Sequence, residues 1–234
     1  MACFSLYFLM KKIVISLGGS LICPKEIDVN FINNFKELLE SYSKEKILFV
    51  VVCGGGYIAR SYQESANIIT KLDSENKDWL GIQATKINAL LIKSVFKEEL
   101  VHGEVIEDPT LKIETDKQII ICSGWKPGWS TDYVAVKMAL NFKADKIINL
   151  SNIDYVYSAD PKKNSKTIKY KKLNWKAYLS LIDNKWSPGM NSPFDPIASQ
   201  LAEKEKLEVN IIGKDLENLK NLINGNNFEG TIIG

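Results

Sequence analysis

The sequence predicts an α/β fold with a largely parallel central sheet, and three observations carry that prediction. Apolar runs of strand length alternate with segments of helical period from residue 11 to the C-terminus. One run, "KILFVVV" at 46–52, is apolar without alternation, as a strand covered by helices on both faces must be. Two strands, within "KKIVISLGGSLI" at 11–22 and "FVVVCGGGYIAR" at 49–60, run straight into glycine turns.

The elements follow in order. After the first glycine turn, Phe31, Phe35, Leu38, Leu39 and Tyr42 fall on one helical face and lead into the buried strand. Residues 57–71 and 78–98 continue as helices, the second with Leu80, Ala84, Ile87, Leu91 and Val95 along one side. "HGEVIED" (102–108) and "QIIIC" (118–122) read as short strands, and "STDYVAVKMALNF" (130–142) opens on good capping residues before an apolar helix. "DKIINL" (145–150) is another buried strand. "NWKAYLSLID" (174–183) is helical, and "FDPIASQLAEKE" (194–205) offers Asp195 as cap with Pro196 at the first helical position. "LEVNII" (207–212), a helix over "KDLENLKNLING" (214–225) that ends on glycine, and "GTIIG" (230–234) close the chain.

The 234 residues suit one domain or two merged halves. Residues 10–234 are read as a single domain. Residues 1–9, "MACFSLYFL", are read as an extension, because Met10 before Lys11 and Lys12 makes the more natural start and the segment lacks the basic region and cleavage pattern of a secretory signal. A hydrophobic share of 45%, a charged share of 25% and a net charge of +2 argue for neither nucleic acid nor a membrane surface as partner. The four cysteines (3, 23, 53, 122) form no C-x-x-C pair and His102 is the sole histidine, which argues against a zinc site and a Ser/His/Asp triad. Cys53 and Cys122 end apolar strands and read as buried free thiols of a reducing compartment, the cytoplasm.

Glycine serves where φ must be positive or where a ligand must meet backbone without a Cβ in the way. Backbone N–H groups at such a turn, backed by a helix N-terminus, attract phosphates; the alternative is a tight strand-to-helix connection with no ligand. The G-x-x-x-x-G-K-[ST] phosphate loop is absent. Gly54, Gly56 and Ala59 satisfy the dinucleotide pattern G-x-G-x-x-A, yet the acidic residue it requires would end a second strand, whereas Asp73, Glu75 and Asp78 lie between helical patterns. Two anion cradles at the ends of strands suit a phosphoryl donor and a phosphorylated acceptor that meet across the sheet edge.

"SNIDYVYSADPKK" (151–163) resembles the nucleotide-binding segment of the amino acid kinase superfamily, T-N-V-D-G-V-Y-x-x-D-P. Together with "GGS", "GGGYIAR", "KDWLGIQATKINALLI", "WKPGWSTDYVA", "FDPIASQLA" and the closing "GTII", in that order along the chain, it makes the sequence resemble the archaeal-type uridylate kinases. The resemblance implies a three-layer sandwich of amino acid kinase type, with UMP bound by the N-terminal half and ATP, accompanied by Mg²⁺, by the C-terminal half. It implies transfer of the ATP γ-phosphoryl group to UMP, and assembly as a homohexamer built from dimers.

By the same resemblance, Gly19, Ser20, Gly56, Arg60, Ser151, Tyr157 and Asp160 face ATP. Gly55, Asp78 and the stretch Trp125, Lys126, Pro127, Gly128, Trp129, Ser130 and Thr131 face UMP. Asp132 organises the transfer site, with Arg60 as its cation. No protein ligand for the metal is implied. Local roles stay open beside these: Asp132 as a helix cap, Asp160-Pro161 as a turn, Tyr157 as a strand residue, Arg60 as a solvated charge. The chain departs from the pattern at Ser16, where many superfamily members carry a lysine, which leaves Arg60, Lys126 and Lys162 as candidates to neutralise the moving phosphoryl group. Trp125 and Trp129 replace smaller or polar residues, and Tyr155 replaces a glycine, a change that alters the backbone or narrows a nucleotide pocket. A different small acceptor on the same fold, or nucleotide binding without catalysis, are the rival readings.

Overall fold

The computed structural model describes residues 10–144, 146–159, 166–182 and 192–234. β1 (Lys11–Leu17) leads through the short α1 (Gly19–Ile22) to α2 (Val29–Ser41), which Asp28 caps by accepting a hydrogen bond from Phe31 N. β2 (Ile47–Cys53) is followed by α3 (Gly56–Ile69) and α4 (Ser74–Val95). β3 (Ile119–Cys122), α5 (Thr131–Phe142) and β4 (Lys146–Leu150) come next, then the short strands β5 (Val156–Tyr157), β6 (Lys169–Tyr170) and β7 (Lys172–Leu173). α6 (Trp175–Leu181), α7 (Pro196–Lys204), β8 (Val209–Ile212), α8 (Leu216–Asn224) and β9 (Thr231–Ile233) complete the order.

Seven strands form one sheet in the order β3-β2-β1-β4-β8-β9-β7, with β5 and β6 as a separate antiparallel pair. Every pairing in the large sheet is parallel except β8 with β9. Helices cover both faces, so the α/β expectation and its three layers hold. The period of two along each strand assigns the faces. Ile13, Ile15 and Leu17 of β1 pack with Phe35, Leu39, Ile92 and Leu219 on one side, while Val14 packs with Val134, Met138 and Ala198 on the other. Ser16 shares the face of Val14, which is the face that α5 covers.

Two expectations change. The segment 102–108 is not a strand; it touches β3 only through isolated bridges at Val101 and Ile106, because Gly103 and the charged residues around it break the apolar pattern. α4 keeps part of the side read from the sequence inward, with Ala84 buried and Leu91 and Val95 packed on the core, and adds others. Ile82, Ala84, Thr85, Asn88, Ala89 and Ile92 are its buried residues, whereas Ile87 is 58% exposed. Polar and apolar residues are mixed around the helix, with Gln83, Lys86 and Lys93 set among Ile82, Ile87, Leu90 and Leu91, so periodicity alone could not choose between its faces. Buried Thr85 and Asn88 belong to the loops they hold. Cys53 and Cys122 are buried free thiols as read from the sequence.

Candidate active site

The two glycine turns pack backbone on backbone. A Cβ on Gly19 would meet Gly56 N and would lie 2.5 Å from the carbonyl carbon of Gly54; a Cβ on Gly56 would meet the carbonyl of Gly19. A Cβ on Gly54 would lie 2.6 Å from Gly19 N. Close approach of the turns to each other therefore requires glycine at 19, 54 and 56, and Gly56 needs it twice, since its φ is +62°. Gly54 N donates to Leu17 O at 2.9 Å, Gly18 N to Leu150 O at 2.8 Å and Tyr57 N to Cys23 O at 3.0 Å. From α4, Asn88 Nδ2 donates to Gly54 O at 2.8 Å and Gly55 O at 3.2 Å, so an amide buried to 1% exposure ties down the second turn. Thr85 Oγ1 accepts from Gly124 N at 2.7 Å and fixes the loop after β3 in the same way.

At the C-terminal ends of these parallel strands lies a cavity of about 670 Å³. Parallel α/β sheets place ligands at this edge. Of the residues singled out in the sequence, Gly19, Ser20, Gly55, Gly56, Arg60, Asp78, Trp129, Ser130, Thr131, Asp132 and Ser151 line it. Trp125, Lys126, Pro127, Gly128 and Tyr157 are not among its lining residues. Asp160 and Lys162 lie outside the described residues.

The floor of the cavity is a polar cluster set by strand register. Ser16 of β1 pairs with Asn149 of β4, so both side chains stand side by side on the face toward α5. Ser16 Oγ donates to Asp132 Oδ1 at 2.9 Å and Asn149 Nδ2 donates to the same oxygen at 3.0 Å. Asp195 N donates to Asp132 Oδ2 at 3.1 Å. Asp132 is not the cap of α5; Ser130 is, accepting from Tyr133 N. Asp195 caps α7 through its Oδ1, which accepts from Ala198 N at 2.7 Å, as its sequence predicts. Desolvation pushes the Asp132 carboxyl up to about 6 against the opposing hydrogen bond from Ser16, and the charge of Asp195 adds to the rise. Asp195 is raised as well, again by burial first.

Asp78, near the start of α4, accepts from Gly128 N at 2.7 Å and so joins that helix to the segment 125–131; burial raises its carboxyl. Within the segment, Trp129 stacks on Tyr133 with ring centroids 4.0 Å apart and faces Trp125 at 6.3 Å. Lys126 Nζ sits 4.0 Å from the Trp125 ring centroid, a cation–π contact at the rim. Tyr155, at the position of the family glycine, has no left-handed backbone and does not line the cavity. Its hydroxyl donates to Glu229 Oε2 and Lys169 lies over its ring, so the bulk points into packing and not into the described cavity.

Among the described residues the lining of the cavity carries three carboxylates, Asp78, Asp132 and Asp195, and one cation, Arg60. Asn149 Oδ1 and Asp195 Oδ2 are buried oxygens with no hydrogen-bond partner among the described residues. Such oxygens fit the magnesium that the kinase resemblance implies. No group of three or more His, Cys, Asp or Glu side chains could hold a metal among the described residues, and magnesium carried by phosphates needs only one or two carboxylates. Asn149, Asp195, Thr85 and Asn88 went unassigned to the site in the sequence. Polar residues inside otherwise apolar elements were the available signal for Asn88, Thr85 and Asn149.

Residues 11–213 match the model of the amino acid kinase family. A uridylate kinase of Pyrococcus abyssi is 33% identical over 226 residues, 95% of this chain and 99% of that protein. One of Methanocorpusculum labreanum is 33% identical over 230 residues, 96% of each. The crystal structure of uridylate kinase from Archaeoglobus fulgidus superposes with a TM-score of 0.82 at 32% identity, covering 95% of this chain and all of that one. UMP kinase from Bacillus anthracis, at 21% identity and a TM-score of 0.76, shares the fold.

Proposed function

The chain belongs to the amino acid kinase family, and from that premise we propose that it is a uridylate kinase, which transfers the γ-phosphoryl group of ATP to UMP and yields UDP and ADP for pyrimidine nucleotide synthesis. The observation that carries this reading is likeness over nearly the whole length of archaeal uridylate kinases, combined with a cavity bounded by both glycine turns.

An oxygen of the UMP phosphate attacks Pγ in line, the bond from Pγ to the β,γ-bridging oxygen breaks, and ADP leaves with that oxygen's electron pair. Catalysis of this kind is positioning and charge stabilisation. The turn at Gly19 and Ser20 presents backbone N–H groups to the donor, and Gly55 does so to the acceptor. Gly56 and Arg60 face the donor, and Arg60 is the cation of α3 that lines the cavity. Asp132 holds Ser16, Asn149 and the start of α7 in one frame from the floor. Asp78 and the end of the 125–131 segment, Trp129, Ser130 and Thr131, enclose the acceptor, and residues 125–128, also assigned to UMP, stand behind them. Ser151, Tyr157 and Asp160 are assigned to ATP. Asn149 and Asp195 would be the side chains to hold a magnesium ion brought with ATP, which would supply charge neutralisation for the transfer.

We read the protein as a cytoplasmic homo-oligomer, and the surface supports a second copy as partner. None of the residues of α3 is buried, and Tyr62, Ile68, Ile69, Ile87 and Leu90 expose apolar surface along α3 and α4 beside a groove of about 530 Å³. An apolar face of this extent marks an association surface. Light scattering should report a multiple of the 26.4 kDa chain mass, reduced by Ile87→Asp with Leu90→Asp. No described helix is long and apolar enough to cross a membrane.

The function is tested by incubating the protein with Mg²⁺-ATP and each nucleoside monophosphate in turn and following ADP release. Turnover with UMP is expected; turnover with another acceptor only, or with none, overturns the reading.

A further inference from the structure

Phosphoryl transfer brings two anionic ligands to a cavity whose described lining has more carboxylates than cations. The strand that leads into the first glycine turn brings no cation to the floor: Ser16, near its end, is 4% exposed and committed to Asp132. Two carboxylates, Asp132 and Asp195, stand together at the floor, with the backbone N–H of one bonded to the side chain of the other. A phosphoryl group cannot approach such a floor unless positive charge lies between them.

We propose that Asp195 Oδ2 and Asn149 Oδ1 form the protein's half of a divalent-cation seat, which brings positive charge to a described lining whose one cation is Arg60. The assignment rests on the kinase reading for its purpose but on local geometry for its place. Both residues are 5% exposed, both line the cavity, and both oxygens lack a hydrogen-bond partner among the described residues. A buried oxygen left without a donor is costly unless a cation or water completes it.

The neighbours also fix which atoms are free. Asn149 must turn its amide nitrogen to Asp132 Oδ1, because a carboxylate accepts and does not donate, so its carbonyl oxygen faces elsewhere. Asp195 spends Oδ1 on the cap of α7, the Ser130 hydroxyl also acts on this carboxylate, and Oδ2 is left without a well-formed hydrogen bond among the described residues. Asp132 already receives three donors, from Ser16, Asn149 and Asp195 N, which makes it the member that positions the seat. One carboxylate and one amide oxygen are too few to enclose a cation, so phosphate oxygens and water must supply the remaining ligands of an octahedral ion. Water completes the seat in the nucleotide-free protein, and phosphate oxygens replace part of that water when a polyphosphate binds.

The probe is Mn²⁺ alone, titrated into nucleotide-free protein and followed by the loss of the free-ion signal in electron paramagnetic resonance. Wild-type protein should take up one ion per chain. Asp195→Asn should weaken that affinity at least tenfold and Asn149→Ala severalfold, while Glu114→Gln, at an exposed carboxylate, should leave it unchanged. Asn retains the oxygen that caps α7, and a urea midpoint checks that the variant is folded; were it unfolded, Asn149→Ala would carry the comparison. Absence of saturable uptake by the wild type, or equal affinity in the wild type and the folded variants, overturns the seat. ADP release with UMP, measured on the same preparation, separates the two readings. Turnover without nucleotide-free Mn²⁺ uptake defeats the seat alone, and uptake without turnover on any monophosphate defeats the kinase reading alone.

Discussion

Adding a methyl group at Gly19 tests whether the two glycine turns need each other's backbone. In Gly19→Ala the new Cβ would lie 2.5 Å from the carbonyl carbon and 2.6 Å from the carbonyl oxygen of Gly54, where no flexible side chain can give way. The turns must part, and overpacking of this kind costs about 1–3 kcal/mol. Gly18→Ala is the internal control. Its φ of −57° suits alanine, and its new Cβ would meet Leu150 O at 3.1 Å and Ser151 Cα at 3.3 Å, a contact relieved by a few tenths of an ångström.

Gly56→Ala adds a left-handed backbone penalty of about 1–2 kcal/mol to a clash in the same seam. The double variant at 19 and 56 should therefore cost less than the sum of the singles, because the first methyl already opens the seam for the second. Urea unfolding of all four variants measures these terms. Equal, small losses for Gly18→Ala and Gly19→Ala, or strict additivity of the 19 and 56 changes, would refute the packing argument and return the glycines to ligand binding alone.

Asn88→Ala should destabilise the protein by about 1–3 kcal/mol, since it leaves the carbonyls of Gly54 and Gly55 without their donor; urea midpoints check this. Asp132 has a raised folded-state pKa of about 6, so the stability it contributes is fully present below the unfolded value near 4 and is lost as pH rises through 6. Subtracting the pH profile of Asp132→Asn from that of the wild type, both in chelator, should reveal this decline; a flat or rising difference contradicts it. Tyr155→Phe should lower stability by about 0.5–1.5 kcal/mol through loss of the bond to Glu229 and leave the KM for ATP unchanged, because Tyr155 does not line the cavity.

The layered sheet was legible because strands such as 46–52 are apolar on both faces and helices such as 130–142 carry their caps in sequence. The glycine turns were legible as special, but their reason was not. Gly19 and Gly56 are far apart in sequence, and their mutual clash exists only once β1 and β2 pair. α4 misled in part, at Ile87, because apolar and polar residues mix around it and its inward face includes Thr85 and Asn88, which hold the loops at Gly124 and at Gly54 and Gly55. Asp195 read correctly as a helix cap from Pro196 beside it, yet its spare oxygen becomes visible only when α7 is laid against the start of α5. Local signals thus travelled well, and pairings between distant segments did not.

The pairing of Ser16 with Asn149 has an evolutionary corollary. Side chains along a strand alternate in facing, so removing or adding a single residue within β1 or β4 would swing Ile15 or Ile148 over the cavity and turn the polar pair into the opposite core. Loops around this sheet can lengthen or shorten by any number, whereas these two strands can change length ahead of the site only in steps of two. Insertions and deletions in the lineage of this chain should therefore avoid residues 13–17 and 146–150 even where point substitutions there are tolerated.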